Sequence, residues 1–158
     1  MFEKGVGVTA DAAEARRLYE RAARQGNVKA MHNLAVMQAG ASGGAQDFTA
    51  AARNFEAAAQ HGLADSQYNL AILYERGLGV ERDLAAAYLW FSIAAAGGDA
   101  DAAARAEALK NAIDAAKLVE AELAARTFIA RPQDRAANQA SWHSSSQAPS
   151  ARAAQQAS

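Results

Sequence analysis

The feature that most constrains this chain is a repeat with a fixed step of 36 residues and no gap. Asp11, Asp47 and Asp83 fall in one column, and Ala15, Ala51 and Ala87 in another. Tyr19, Phe55 and Phe91 align, as do Ala22, Ala58 and Ala94, then Ala23, Ala59 and Ala95. Gly26, Gly62 and Gly98 close the unit. Self-similarity at this period is the signature of stacked supersecondary units.

The spacing inside each unit is helical. Ala51, Phe55, Ala58 and Ala59 stand at i, i+4, i+7 and i+8, one face of an α-helix. An aspartate precedes each copy and can accept a bond from a free backbone N–H at the helix start. Asp11 also has Glu14 three residues on, a capping-box pattern. The closing glycines suit the left-handed turn that ends a helix. A second, shorter helix follows each stop. Ala30, Leu34 and Met37 recur as Ser66, Leu70 and Leu73, and more weakly as Ala102, Ala106 and Leu109. Asn33 and Asn69 share a column, and Ala35 and Ala71 place a small residue beside the core leucine.

A glycine turn joins one unit to the next, Gly5-Val-Gly-Val8 and Gly77-Leu-Gly-Val80. The middle copy departs from it with Gly40-Ala-Ser-Gly-Gly44, which predicts a looser turn. Helices are expected near 10–25, 28–39, 48–60, 64–76, 84–96 and 100–113. The first copy begins at the last turn of its leading helix, so Met1 is read as lying inside a repeat. Asp114 is expected to cap a further helix that breaks the repeat and covers the open end of the stack, with Leu118, Val119 and Leu123 facing inward. The fold class is thus all-α, an α/α solenoid (a superhelix of helix-turn-helix repeats). It is divided into a repeat solenoid over 1–113, a C-terminal capping helix over 114–130 and a disordered tail or linker over 131–158. Both prolines, Pro132 and Pro149, fall in that tail, which is rich in Ser, Gln, Ala and Asn and carries Trp142 as its one anchor-like residue.

Composition narrows the function. The formal net charge of −1 gives no large attraction to nucleic acid or anionic lipid. No basic stripe with interleaved aromatics is present. There is no cysteine, which removes thiolate catalysis and cysteine-based zinc sites. The uncharged run from Leu84 to Gly98 is shorter than the roughly 20 residues a membrane span needs.

No dinucleotide, Walker A, His-Glu-x-x-His or Gly-x-Ser-x-Gly motif occurs, and Gly77-x-Gly79 reads as a repeat turn rather than a phosphate cradle. His32, His61 and His143 share no repeat column, so no metal site is expected. Trp90, with Tyr19, Phe55 and Phe91, forms an aromatic stripe read as core, Trp90 being only partly buried. These observations predict no enzyme activity and no cofactor.

The pattern Gly-x-Gly-Val, Asp, Ala, aromatic, Ala-Ala, Gly, then Asn-Leu-Ala resembles the Sel1-like repeat, a relative of the tetratricopeptide repeat, over residues 1 to about 110. It is strongest over Ala64–Gly98. MHNLAV at 31–36, the glycine-rich middle turn, ADSQYNLA at 64–71 and the stretch Phe128 to Pro132 are similar to the C-terminal Sel1 region of PodJ-like polar localisation factors of alphaproteobacteria. The resemblance implies a non-catalytic protein-interaction module in a bacterial cell-pole or envelope scaffold. It would be periplasmic if the PodJ likeness holds and cytoplasmic otherwise. Sel1-type regulators of sensor kinases and peptidoglycan-associated proteins are the alternatives.

Curvature of stacked helix pairs gives a concave face. The helices at 28–39 and 64–76 turn Leu34, Ala35, Leu70 and Ala71 to the core. That leaves Lys29, His32, Val36, Asp65, Tyr68, Ile72 and Glu75 for the groove. Asn33 and Asn69 lie beside the core leucines and are read either as ties between repeats or as amides that clamp a bound peptide backbone. The expected partner is a protein or peptide segment, or peptidoglycan, with no nucleic acid and no membrane span.

Overall fold

The computed structural model describes residues 2–139, with side chains from Ala10 onward. Among these residues all regular structure is helical. The elements are α1 (Phe2–Arg24), α2 (Val28–Ala39), α3 (Phe48–Gln60), α4 (Ala64–Arg76), α5 (Leu84–Ala96) and α6 (Ala100–Leu109). A single 3-10 turn (Lys110–Ala112) leads to α7 (Ala115–Arg126). Each of the first six helices packs on its neighbours in chain order, and α7 packs on α5. The result is the α/α solenoid that the repeat predicts. None of these helices is long and apolar enough to cross a membrane.

The repeat columns become the core. Phe55 and Phe91 are buried, Phe91 completely, while Tyr19 is half-buried. Around them Ala35, Ala51, Ala58, Ala59, Ala71, Ala87 and Ala94 have no exposed surface. With only a methyl group at those positions, helix axes approach closely and the aromatic rings supply most of the buried area. Each buried Phe contributes about 1.5–3 kcal/mol relative to an exposed one. Asp47 and Asp83 cap α3 and α5 by accepting from the N–H groups of Ala50 and Ala86, both at 3.0 Å. Asp114 does the same for α7, through Lys117 N at 3.4 Å.

Several expectations are corrected. Asp11 lies inside α1 rather than at its start, because Gly5–Val8 is taken up in that helix instead of forming a turn. The corresponding turn at Gly77–Val80 is closed by the N–H of Leu78 on Leu73 O at 2.9 Å, in the last part of a preceding helix.

The middle turn is no looser than its relative. Ser42 N–H bonds Met37 O at 2.9 Å and Asp47 N–H bonds Gln38 O at 2.8 Å, matching Leu78 to Leu73 and Asp83 to Tyr74 one repeat later. Ala41 takes the left-handed conformation (φ 59°) where the later copy has Gly77 (φ 71°).

On α7, Val119 and Leu123 face solvent, with 63% and 54% of their surface exposed. Leu118 faces the core as expected, and Ala121 and Ala125 take the places beside it, joined by Phe128. The stripe 118, 121, 125, 128 follows the same helical face, and it is rotated from the one expected because α7 lies on α5. Trp90 is buried, since Phe128 closes over it edge-to-face at 5.8 Å.

Residues 131–139 also depart from expectation. They do not leave the body as a tail but run back across it, with Arg131 N–H on Gln60 O at 2.8 Å and Asn138 on the α1–α2 turn. Two asparagines, at 27 and 138, provide the polar side-chain contacts that hold this segment on the α1–α2 turn. The remainder of the expected tail, including Trp142, His143 and Pro149, lies outside the described residues.

Candidate functional site

The face built from α2, α4 and α6 carries a recess of about 410 Å³ lined by His32, Asp65, Tyr68, Asn69, Asp99 and Asp101. Four of these are residues that the repeat reading places in the groove. The recess therefore sits across the boundary between successive units, where each α2-type helix meets the next.

His32 is tied on two sides. Its Nδ1 and the Oγ of the fully buried Ser66 share a hydrogen bond at 2.7 Å. Its ring meets Phe55 edge-to-face at 5.5 Å. Burial pushes its pKa below the ordinary imidazole value, partly offset by the negative charge of Asp65. One repeat later Tyr68 occupies the same column. Its ring meets Phe91 edge-to-face at 5.4 Å, and its hydroxyl donates to the Asp101 carboxylate. That bond raises the Tyr68 pKa above the usual phenol value, with a further push from burial. Asp65 and Asp101 are themselves 36 residues apart. A ring-and-carboxylate pair thus recurs along the face, His32 with Asp65 and Tyr68 with Asp101.

Asp99 and Asp101 were not anticipated. Asp99 caps α6 through Ala102 N at 3.0 Å. Asp101 could have been found by extending the Asp65 column by one more step, but the third short helix loses its Tyr-Asn-Leu core and that weak copy conceals it. Arg105, in the asparagine column, was missed for the same reason. Its guanidinium lies 5.7 Å from the ring centres of both Tyr68 and Phe91. It also pairs with Glu75 at 3.3 Å and Asp101 at 3.7 Å.

The other expected groove residues are placed as follows. Lys29 and Val36 are exposed on α2, and Asn33 is half-buried there. Ile72 is half-buried and packs against the core, and Glu75 is held by Arg105. The amides of Asn33 and Asn69 hydrogen-bond to no other described residue, so they do not act as ties between repeats. Gln67 takes that role, donating to Ala59 O at 3.1 Å from a buried position. His61 is held elsewhere, its Nδ1 3.1 Å from Arg131 O, so the two described histidines do not converge. No group of three or more metal-ligating side chains is assembled among the described residues.

Stacked helix pairs that present one continuous face of mixed polarity define an α/α solenoid of the kind that binds other proteins. The chain belongs to the Sel1 repeat family, whose model matches residues 1–27, 28–63 and 64–99 in succession. Proteins of this family generally serve protein–protein interaction. Among solved structures, a protective antigen of uropathogenic Escherichia coli displaying an SLR fold is 30% identical, with a TM-score of 0.69. The alignment covers 74% of this chain and 25% of the antigen. A Sel1 repeat protein from Oxalobacter formigenes is 28% identical with a TM-score of 0.48, over 49% of this chain and 31% of that one. This chain thus spans about a quarter of the first structure and under a third of the second. No curated protein matches it.

Proposed function

We propose that the chain is a non-catalytic interaction module whose α2–α4–α6 face holds an extended protein segment carrying basic side chains. The observation that carries this reading is the recess itself, lined by Asp65, Asp99 and Asp101 together with an amide, Asn69, that has no partner among the described residues. Asp65 is exposed and makes no ion pair there, so it is available to a cation. Free amides one repeat apart, at 33 and 69, can each pair with the N–H and C=O of a bound backbone. Packed helices stand about 10 Å apart, and an extended peptide rises about 3.3 Å per residue. Successive side chains of an extended segment alternate in direction, so basic residues two or four positions apart, about 7 to 13 Å, share one face and reach Asp65 and, in competition with Arg105, Asp101.

The cellular setting is proposed as a bacterial cell-pole or envelope scaffold. This rests on the likeness of the 31–36, 64–71 and 128–132 stretches to PodJ-like factors.

The test is an array of immobilised peptides with lysine or arginine at spacings of one to six residues, alongside acidic and neutral versions, probed with labelled protein. Selective binding of basic peptides, weakened by Asn69→Ala and reversed in charge preference by Asp65→Lys, is expected. If the His32→Ala, Tyr68→Ala double variant binds every peptide as the parent does, the groove assignment fails.

A further inference from the structure

The segment after α7 crosses the stack from its last helix pair to its first. Phe128 anchors it on Trp90 of α5. Ala130 then lies against Gly62, where an added Cβ would stand 3.0 Å from the alanine methyl. Arg131 pairs with the α3–α4 turn in both directions, its N–H on Gln60 O at 2.8 Å and its C=O 3.1 Å from His61 Nδ1. Pro132 favours an extended Arg131 and so keeps the chain moving across the turns. Ala137 then lies against Gly26, 3.6 Å from a Cβ built there. A seven-residue step of this segment, Ala130 to Ala137, thus matches one 36-residue step of the body, Gly62 to Gly26.

At the far end two asparagines exchange bonds. Asn138 Oδ1 accepts from Val28 N at 2.7 Å, and its Nδ2 donates to Gly26 O at 3.0 Å. Asn27, itself buried, donates from Nδ2 to Ala137 O at 2.7 Å and accepts from Ala30 N at 2.8 Å. Two of the N–H groups that open α2 are therefore satisfied from different places, Ala30 by its own cap and Val28 by a residue 110 positions away. A helix start left without such partners is destabilised. Asn138 is held for the task by a short turn, in which Ala137 N–H bonds Asp134 Oδ1 at 3.0 Å and Asn138 N–H bonds Asp134 O at 3.1 Å.

We propose that residues Phe128–Asn138 form a strap that latches the first helix pair to the last and fixes the start of α2, the helix that carries Lys29, His32 and Asn33. Solenoids are ordinarily coupled only between neighbouring units. The strap adds a coupling that runs past all three, seated on the α3–α4 turn on its way from α5 to the start of α2. Its release frees the first turn of α2 without unfolding α4 or α5.

Hydrogen exchange on the full chain tests this directly. In Asn138→Ala the amides of Val28 to Met31 are expected to exchange roughly tenfold faster, the consequence of leaving a helix-start donor unpaired. Those of α4 and α5 should keep their parent rates. Asn138→Asp retains an acceptor for Val28 N–H and should restore most of the protection there while leaving the Gly26 contact broken. Unchanged exchange at Val28 in Asn138→Ala, or faster exchange spread evenly over all helices, overturns the strap. A second readout rests on the groove reading. Binding of a basic peptide should weaken in Asn138→Ala in step with the loss of protection. If exchange changes as stated but binding does not, the strap stands and the groove reading is the one that fails.

Discussion

Tyr68 and Phe91 meet edge-to-face at 5.4 Å and 74°, so a half-buried ring of the recess rests directly on a completely buried ring of the core. His32 and Phe55 repeat the relationship one unit earlier. The groove is thus not a coating on the solenoid. Its rings are the outer members of pairs whose inner members hold the helices together.

This coupling gives a measurable result. Phe91→Ala removes a fully buried ring and should cost about 4 kcal/mol in urea unfolding. Tyr68→Ala should cost less, and a double-mutant cycle between the two should show a coupling of about 1 kcal/mol. A cycle that sums to zero would mean the ring contact contributes nothing beyond burial.

His32 makes stability depend on pH with a fixed sign. Its pKa in the folded chain is depressed by burial, so between that value and about 6.5 the unfolded chain binds the extra proton more readily. Its contribution is constant above about 6.5 and declines as pH falls through that window, levelling off below the folded value. Unfolding free energies at successive pH values should therefore fall more steeply in acid for the parent than for His32→Gln. Equal slopes would show that His32 takes up its proton as easily folded as unfolded.

The glycine turn distinguishes two kinds of constraint. A Cβ at Gly79 would run into Phe48 O, whereas one at Gly77 meets Arg82 alone, its Cβ at 3.2 Å and its backbone N at an ordinary 3.5 Å. Gly77→Ala should cost about 1 kcal/mol, the price of a left-handed alanine. Gly79→Ala should cost about 3 kcal/mol, since backbone must move as well. Thermal melts of the two variants decide the order.

Ala41 offers the converse experiment. It already bears the left-handed conformation, so Ala41→Gly relieves that strain and loses part of the gain to a more flexible unfolded chain. A rise of about 2 °C in Tm is expected. A fall would show that the Ala41 methyl makes a contact worth more than the strain.

Much of this was legible because a solenoid writes its core as columns. Phe55, Phe91 and the alanines around them could be placed from spacing alone, and so could the caps at Asp47 and Asp83. One wall of the recess was also legible, because His32, Asp65, Tyr68 and Asn69 project from helices whose core face was known. Its other wall was not. Asp101 and Arg105 sit on a helix whose apolar positions are mostly alanine, so neither register nor facing stood out. Residues 131–139 were misread for a different reason. Their hold on the body is made of backbone bonds and two asparagines, and hydrophobic periodicity carries no trace of such contacts. Val119 and Leu123 show the limit of periodicity itself, since α7 carries two apolar stripes and only its seat on α5 selects between them.

The middle turn has one more consequence. Of the two glycines in the Gly77-Leu-Gly79 turn, the first is replaced by Ala41 in the preceding copy without changing the hydrogen bonds, while the second is kept as Gly43. A Cβ at Gly43 would stand 2.4 Å from Ala12 O, just as one at Gly79 would meet Phe48 O. The spelling of the turn is therefore unequal in weight. One letter is a matter of local comfort, and the other is the clearance through which one unit's backbone passes the next. A search for further units of this kind should be scored on that second letter, even where the first is absent.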